Sequence, residues 1–512
     1  MGRKSSTFLS PLFSLDPASA EPLYHQLYEG IRDAILDGRI ARGTQLPSSR
    51  LLSGELSVSR NTVVNAYAQL LAEGYLEGEA GSGTYVTLRL PDDSLRAVRG
   101  SSTTPPEAPT PPRLSRQGQA LQRYATTHTL SRNEPRPFRP GVPAVDEFPF
   151  RLWERMVARQ WRKHPWQLLT YGPAEGAQAL RQAIAEYLRM ARAVRCDWRQ
   201  VVLVSGSQQA IDLTARVLLD PGDAVWMEEP GYRGARDALV AAGLALAPVP
   251  VDAEGISVSA GRAMAPQARL AYVTPSHQFP SGVTMSVARR MELLRWATQA
   301  GAWILEDDYD SEFRYVSRPL SALQGLDDSG QVIYAGTFSK VLFPSMRLGY
   351  LVAPPPLVDV FTAARSIADR HSPMVDQAVL AEFMREGHFG RHIRRMRTLY
   401  QERRDTIVEA LTKELGGFLE LSPAAAGMHL VGWLPQGVDD LEASRLAADS
   451  GVIAQPISAY CLAEPARRGL MLGYAGYSSA ALKHAAGQLA QALAGLRTGE
   501  SDRPLARSRG VR

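Results

Sequence analysis

Tyr334-Ala-Gly-Thr-Phe-Ser-Lys340-Val-Leu-Phe-Pro-Ser-Met-Arg347-Leu-Gly decides how this chain is read. Residues 332–335 are a short apolar run that ends at a glycine, the pattern of a buried strand. Two hydroxyl residues, Thr337 and Ser339, come next. Lys340 follows them, and Arg347 lies seven residues further on. A Ser-Lys pair by itself says little, because an exposed surface lysine is the ordinary alternative. The surrounding segments carry the argument.

A lysine amine that can condense with an aldehyde, with hydroxyls and an arginine for a phosphate, is what a pyridoxal-phosphate (PLP) site needs. Upstream stands Trp303-Ile-Leu-Glu-Asp307-Asp-Tyr309-Asp310. A carboxylate at the end of a buried strand is costly unless it meets a positive partner. A protonated pyridine nitrogen is such a partner, and Asp307 is the candidate. Tyr309 is the candidate donor to the ring 3-oxygen. A metal-binding acidic cluster is the rival reading, but no histidine lies nearby in sequence, and no metal is expected. Val204-Ser-Gly-Ser207-Gln208 reads as strand, glycine turn and helix start, an end that offers N–H groups to a phosphate. Tyr232, in Glu229-Pro-Gly-Tyr, is placed to stack on a ring. His277 or Gln278, in Thr274-Pro-Ser-His-Gln, would lie near the cofactor oxygen or serve as loop residues with a structural bond.

Working further outward, residues 201–205, 224–228, 270–274 and 303–307 are also short apolar runs, with helical patterns between several of them. That alternation predicts an α/β domain with a mostly parallel sheet. Residues 376–412 predict a long helical region. Residues 413–495 predict a smaller α+β lobe.

The first 90 residues are different. Ser48 is a candidate helix cap at Leu46-Pro-Ser-Ser-Arg50. From Asn61, the positions Val63, Tyr67, Leu70 and Leu71 line one helical face. Two short helices joined by a tight turn form a helix-turn-helix. The second begins Ser59-Arg60-Asn61-Thr62, hydrogen-bonding residues suited to base edges and phosphates. Two strands near residues 76–77 and 84–86, joined through Gly81, Ser82 and Gly83, would make a wing. Residues 1–90 hold eight Arg and Lys against nine Asp and Glu, so DNA binding would rest on a few placed arginines. A helical dimerisation module is the other reading of the pattern.

The 512 residues exceed one hydrophobic core. The expected division is a winged helix-turn-helix at 15–90 and a Pro/Ser/Thr-rich linker at 91–135. A PLP-binding domain at 136–495 and a disordered basic tail at 496–512 complete it. The net charge of +5 permits a nucleic-acid partner without demanding one. The only two cysteines, Cys196 and Cys461, exclude a disulfide framework and fit a reducing cytoplasm. No signal peptide and no run of 18 apolar residues is seen, so no membrane partner is expected.

Leu46-Pro-Ser-Ser-Arg50, Val58-Ser-Arg-Asn-Thr-Val63, Glu73-Gly-Tyr75 and Gly81-Ser-Gly-Thr-Tyr-Val86 together resemble the GntR-type winged helix. The resemblance implies DNA contacts from Arg50, Ser59, Arg60, Thr62 and the wing Gly81, Ser82 and Gly83. Tyr171-Gly-Pro and the five segments above occur in the order of a fold-type I aminotransferase. Joined, the two halves resemble the MocR family of bacterial regulators. The segment Glu386-Gly-His-Phe-Gly-Arg-His-Ile-Arg-Arg-Met-Arg397 is similar to one typical of that family. The resemblance implies PLP bound at Lys340, operator DNA, a head-to-tail homodimer, and PLP or an amine as effector. One departure stands out. Met471 occupies the position of the arginine that holds a substrate carboxylate, with Arg468 the substitute if the register shifts. The expected function is a PLP-dependent transcription regulator with little or no turnover. The alternatives are a working aminotransferase with a DNA-binding appendage and a PLP sensor whose helix-turn-helix serves assembly alone.

Overall fold

The computed structural model describes residues 15–79, 83–91, 113–115, 117–119, 121–122, 136–163, 165–316, 320–423 and 425–497. The chain divides into two compact units, one before and one after residue 112. Gly81, Ser82, most of the expected linker and residues 498–512 lie outside the described residues.

Among its described residues the first unit has three helices, α1 (Leu23–Leu36), α2 (Ser49–Glu55) and α3 (Arg60–Ala72). Leu27, Ile31, Ala34 and Ile35 recur at helical spacing and bury one face of α1. That helix was not expected from the sequence. Ser48 caps α2, accepting from the Leu51 N–H at 3.3 Å. Ser59 caps α3, accepting from the Thr62 N–H at 3.1 Å. Val63, Ala66, Tyr67 and Leu70 face the core, where they meet Leu27, Ile31 and Leu52. Burying each Leu, Ile or Val contributes about 1.5–3 kcal/mol. Strands β1 (Gln45–Leu46), β2 (Leu76–Glu79) and β3 (Gly83–Val86) form an antiparallel sheet in the order β1-β3-β2. This is a winged helix-turn-helix.

The second unit is built on an eight-stranded sheet. Its strands are β4 (Val201–Val204), β5 (Ala224–Glu229), β6 (Ala245–Asp252) and β7 (Gly255–Ile256). The others are β8 (Leu270–Val273), β9 (Trp303–Asp308), β10 (Val332–Thr337) and β11 (Gly349–Val352). The order is β4-β11-β10-β9-β8-β5-β6-β7. Six strands run the same way, whereas β11 and β7 run against their neighbours. The sheet is therefore mostly parallel, as expected, with two antiparallel strands that make it mixed. Fully buried strands such as Val201–Val204 and Leu270–Val273 read as unbroken apolar runs because helices cover both faces.

The expected helical region over 376–412 consists of two helices, Met374–Arg385 and His388–Leu415. They are separated at Gly387, which adopts φ +74. Beyond lies the small lobe. Strands β12 (Glu420–Leu421), β13 (His429–Trp433), β14 (Gln455–Pro456) and β15 (Gly469–Gly473) form an antiparallel sheet ordered β12-β13-β15-β14. His388–Leu415 and Ser479–Ala492 share its core through Met396, Tyr400, Leu482 and Leu489. Both cysteines are free thiols. Among the described residues no helix is long and apolar enough to cross a membrane.

Candidate functional site

Parallel strands present their carboxyl ends to one edge of the sheet, where open α/β sheets bind ligands. Here that edge carries Gly206 after β4, Asp307 at the end of β9 and Thr337 at the end of β10. They line one cavity of about 340 Å³ together with Ser207, Gln208, Tyr232, Tyr309, Ser339, Lys340 and Arg347. Nine of the ten cofactor candidates read from the sequence therefore converge. The tenth, His277, does not line the cavity.

Lys340 points its Nζ at the Gly141 carbonyl, 2.9 Å away. Burial holds its pKa below the usual lysine value. Asp310 and Asp307 oppose that shift, and Arg139 and Arg347 add to it. A larger neutral fraction of amine is a more available nucleophile. Asp307 is 4 % exposed. Its Oδ2 accepts from the Tyr272 hydroxyl at 2.7 Å, and its Oδ1 is buried without a partner. Burial pushes its pKa up to about 6 against the pull of that hydroxyl. Glu228, bonded to the Thr274 hydroxyl at 2.6 Å and to the Gln278 amide at 3.2 Å, is pushed by burial to about 7.

A second part of the cavity is built for an anion. Helix α4 (Ser207–Leu218) starts at Gly206, which has φ +114 and no capping side chain. That backbone is open to glycine, and the helix end offers free N–H groups with a partial positive charge. A Cβ built on Gly206 would sit 3.8 Å from both terminal nitrogens of Arg347, so the guanidinium stands over the helix end. The Ser339 hydroxyl is buried without a partner, and its N–H donates to the Thr337 hydroxyl at 3.1 Å. The Gln208 amide donates to the Gly234 carbonyl at 2.8 Å, so this residue offers its backbone rather than its side chain.

These features fit PLP. The unpartnered Asp307 oxygen matches a pyridinium, the unpartnered Ser339 hydroxyl and the Arg347–helix cradle match a phosphate, and Lys340 matches the aldehyde.

Three candidates from the sequence do not line the cavity. His277 sits behind the cavity wall, with Nδ1 3.0 Å from Asp310 Oδ2 and 3.0 Å from the Tyr309 hydroxyl. It positions Tyr309 rather than meeting a ligand. Gln278 is likewise structural, tied to Glu228 and to the Pro230 carbonyl at 2.8 Å. Arg468 is spent on carboxylates, 2.7 Å from Asp439 and 2.6 Å from Glu464, and does not line the cavity. No register shift brings it in. Met471 pairs with Val431 and Gln455 on β15 and is fully buried against Ile457, Phe279 and Tyr460.

Several cavity residues escaped the sequence reading. Tyr272 lies in a uniformly apolar strand. Arg139 and Gly141 follow the proline-rich stretch, where the Pro-Gly pair was the available signal. His429 is far along the chain; burial and the neighbouring His277 push its pKa down to about 3, so the ring is neutral. His277, Asp310 and His429 bring ligand atoms within 4.8 Å of one another, a spacing a cation can bridge. The His277 Nδ1 is already shared by Asp310 and Tyr309, and His429 Nε2 bonds the Pro280 carbonyl at 3.1 Å. The set therefore reads as a hydrogen-bonded support for Tyr309.

In the first unit, Arg50, Ser59 and Arg60 are exposed and Thr62 is half-buried. The Ser59 hydroxyl is committed to capping α3 and lies 2.8 Å from the Thr62 hydroxyl. Arg60 reaches the Ser49 hydroxyl at 3.4 Å, bringing the starts of α2 and α3 together. Gly83 opens β3 and is exposed.

Residues 23–86 match the family described as bacterial regulatory proteins, gntR family, and residues 156–489 match aminotransferase class I and II. The chain is 41% identical over 499 residues to the probable rhizopine catabolism regulatory protein MocR of Rhizobium meliloti, covering 97% of this chain and 99% of that one. It is 32% identical to the pyridoxine biosynthesis transcriptional regulator PdxR of Corynebacterium glutamicum, covering 94% and 98%. Among solved structures it is similar to the α-aminoadipate aminotransferase LysN of Thermus thermophilus, complexed with N-(5'-phosphopyridoxyl)-L-leucine. That match has a TM-score of 0.66 and 30% identity, covering 71% of this chain and 92% of that one. With a winged helix before a PLP-shaped aminotransferase cavity, the chain is a PLP-binding transcription regulator and belongs to the MocR family.

Proposed function

We propose that this regulator reads operator DNA through α3 and its wing, and senses PLP or a small amine in the cavity around Lys340. The single observation that carries the reading is Lys340 sharing a cavity with a buried Asp307 and with Arg347 at a helix N-terminus. Lys340 anchors the cofactor and Asp307 faces its ring nitrogen. Tyr309 serves the 3-oxygen and Tyr232 covers the ring. The phosphate is held by the backbone of Ser207 and Gln208, by Thr337 and Ser339, and by Arg347. When bound, PLP supplies an electrophilic carbon and an electron-withdrawing ring. The protein's residues orient it, neutralise its charges and exclude water. Met471 weighs against amino-acid turnover as the physiological task. The test is an operator-binding titration with and without PLP and candidate amines. The reading is supported by a PLP- or amine-dependent change in affinity and sunk by rapid multiple-turnover transfer of amino groups with DNA binding indifferent to both.

The DNA contacts we propose are Arg50, Ser59, Arg60, Thr62 and Gly81, Ser82 and Gly83. Arg60 opens the recognition helix and is exposed. Arg60→Ala is expected to weaken operator binding by about 1–3 kcal/mol, measured by fluorescence anisotropy. Wild-type affinity in that variant removes Arg60 from the interface. Affinity should also fall as salt rises, with a shallow slope because only a few arginines neutralise phosphates.

The boundaries we propose are 15–90 for the DNA-reading domain, 91–135 for the linker, 136–495 for the PLP domain and 496–512 for the tail. The active form is a head-to-tail homodimer in the cytoplasm. Trp166, Leu169, Tyr171 and Ile367 are 80%, 66%, 88% and 85% exposed. Tyr171, which follows the short helix Pro165–Leu169, meets the His371 ring edge-on at 6.0 Å, and Arg370 stands over it at 6.0 Å, which joins that region to the end of the helix Val358–Asp369. Large apolar groups exposed together mark an interface. Trp166→Glu is expected to shift the protein toward monomer in sedimentation velocity, and an unchanged dimer would place the interface elsewhere.

A further inference from the structure

The segment Glu386–Arg397 opens the long helix His388–Leu415 and takes no part in the Lys340 cavity. Its side chains divide by helical face. Phe389, His392 and Met396 are buried in the core. Arg391 is held at the helix start, donating to the Glu386 carbonyl at 3.0 Å, and Arg395 pairs with Glu147. Gly390, Arg394 and Arg397 stand on one remaining face, at i, i+4 and i+7. With Ile393 they wall a cleft of about 280 Å³. The facing wall comes from the end of the helix Gln178–Arg192 and from the turn after β9, through Tyr187, Ser311 and Glu312. No described residue lines both this cleft and the Lys340 cavity.

The charges in the cleft do not balance. Arg192 is matched by Asp308 at 2.8 Å. Arg397 donates from Nε and Nη2 to the Glu312 carbonyl, at 3.0 and 2.8 Å, which fixes its plane without neutralising it. The Arg394 guanidinium is exposed and meets no carboxylate among the described residues. Glu312 is the acid of the lining, and its Oε1 accepts from the Tyr187 hydroxyl at 3.1 Å. Burial, with Asp308 beside it, pushes this carboxyl up to about 7, so near neutral pH it opposes the two arginines only in part. Ser311 is 6% exposed, and its hydroxyl has no partner. A buried hydroxyl left unsatisfied is costly unless something polar meets it.

Beyond Tyr187 and Gly390 the character changes. These two residues also wall a neighbouring depression of about 230 Å³, to which Met190, Met384 and Phe389 supply apolar surface. A cationic, hydroxyl-bearing cleft therefore adjoins an apolar one across a glycine and an aromatic ring.

We propose that this cleft is a second small-molecule site, outside the cofactor cavity, for a carboxylic acid with a compact apolar body. The carboxylate takes Arg394 and Arg397, with the Ser311 hydroxyl as a further donor. The body lies across Tyr187 and Gly390 toward Met190 and Phe389. Two arginines against one acid suit a single negative charge, which favours a carboxylate over a phosphate dianion. Gly390 leaves the passage clear. A Cβ built there would lie 3.8 Å from Arg394 Nη1, an ordinary contact, so the backbone accepts a larger side chain that would fill the space.

The test is isothermal titration calorimetry on the full-length, PLP-loaded protein, with the visible spectrum followed alongside. The probes are 3-phenylpropanoate, its neutral amide 3-phenylpropanamide, and acetate, which has the charge without the body. The wild type should bind 3-phenylpropanoate roughly tenfold or more tightly than either comparator, the scale of one charge-assisted hydrogen bond or of a few buried methylenes. Arg394→Gln should bring the acid and its amide to near parity, and Arg394→Lys should keep part of the preference. Gly390→Leu should weaken acid and amide together. Arg394 is exposed and position 390 has room for a side chain, so these variants keep the fold. The visible band should stay unchanged throughout. Equal binding of acid and amide by the wild type, an undiminished preference in Arg394→Gln, or no heat with 3-phenylpropanoate each overturns the proposal. So does binding that survives Gly390→Leu and moves the visible band, because the acid then sits at the cofactor.

Discussion

Lys340→Ala is expected to abolish the visible absorbance that the wild-type protein shows with PLP. The band requires a covalent bond between the cofactor and a protein amine, and Lys340 Nζ is the amine that the cavity presents beside Asp307 and Arg347. Burial favours its neutral form, which makes the amine a more available nucleophile. Alanine removes the nucleophile and leaves the Gly141 carbonyl without its 2.9 Å donor. The phosphate cradle stays in place, so some PLP remains bound without the covalent link and with the spectrum of the free aldehyde. Lys340→Arg is the companion variant: it keeps the charge and cannot condense. Spectra of gel-filtered protein check both. A wild-type band in Lys340→Ala removes this residue from the role. The operator response to amines should disappear in the same two variants, because a ligand can shift an equilibrium only through an interaction that differs between the states.

That lysine was legible in the sequence because a strand, its hydroxyls and the arginine lie within sixteen consecutive residues. The same is true of Asp307 and Tyr309, which a single strand end delivers. The DNA-reading unit was legible for a related reason: caps and apolar spacing are local signals, and Ser48 and Ser59 cap α2 and α3. What stayed hidden depends on pairing between distant segments. Strand β11 runs antiparallel between β4 and β10, an insertion no local pattern announces. Arg139 enters the cavity only because Phe138 bridges Gly473, more than 300 residues away in the chain. The sequence leaves His277 open between a ligand contact and a structural bond in its loop, and its ring is turned to Asp310 and Tyr309. Gly387 divides the helical region into two helices, a break that the sequence reading of one long region did not locate.

Asp307→Asn is the second large effect and separates charge from shape. The carboxylate is buried, and burial raises its pKa from 3.8 to about 6. The sign is that of an acid with a raised folded pKa. Above about pH 6 the folded, cofactor-free protein carries the full cost of a buried charge, about 3 kcal/mol for a pKa raised from 3.8 to about 6. As pH falls from 6 toward 3.8 the cost fades, because the folded form takes up its proton first. Glu228, raised by burial to about 7, adds a cost of the same sign. Cofactor-free wild type should therefore melt higher near pH 5 than near pH 7.5 as far as these two groups act. Asp307→Asn should lose its share of that dependence and keep the share of Glu228. With PLP the logic reverses. The ring's positive nitrogen needs the ionised carboxylate, and removing one partner of a buried pair costs about 3–5 kcal/mol. PLP affinity in Asp307→Asn should accordingly fall by roughly a hundredfold or more at pH 7.5. Wild-type affinity should weaken as pH drops below about 6, when Asp307 protonates in the empty pocket. Calorimetric melting and fluorescence titration with PLP read the two halves independently. Unchanged PLP affinity in the variant would falsify the pairing of Asp307 with the ring nitrogen, whatever the melting curves show.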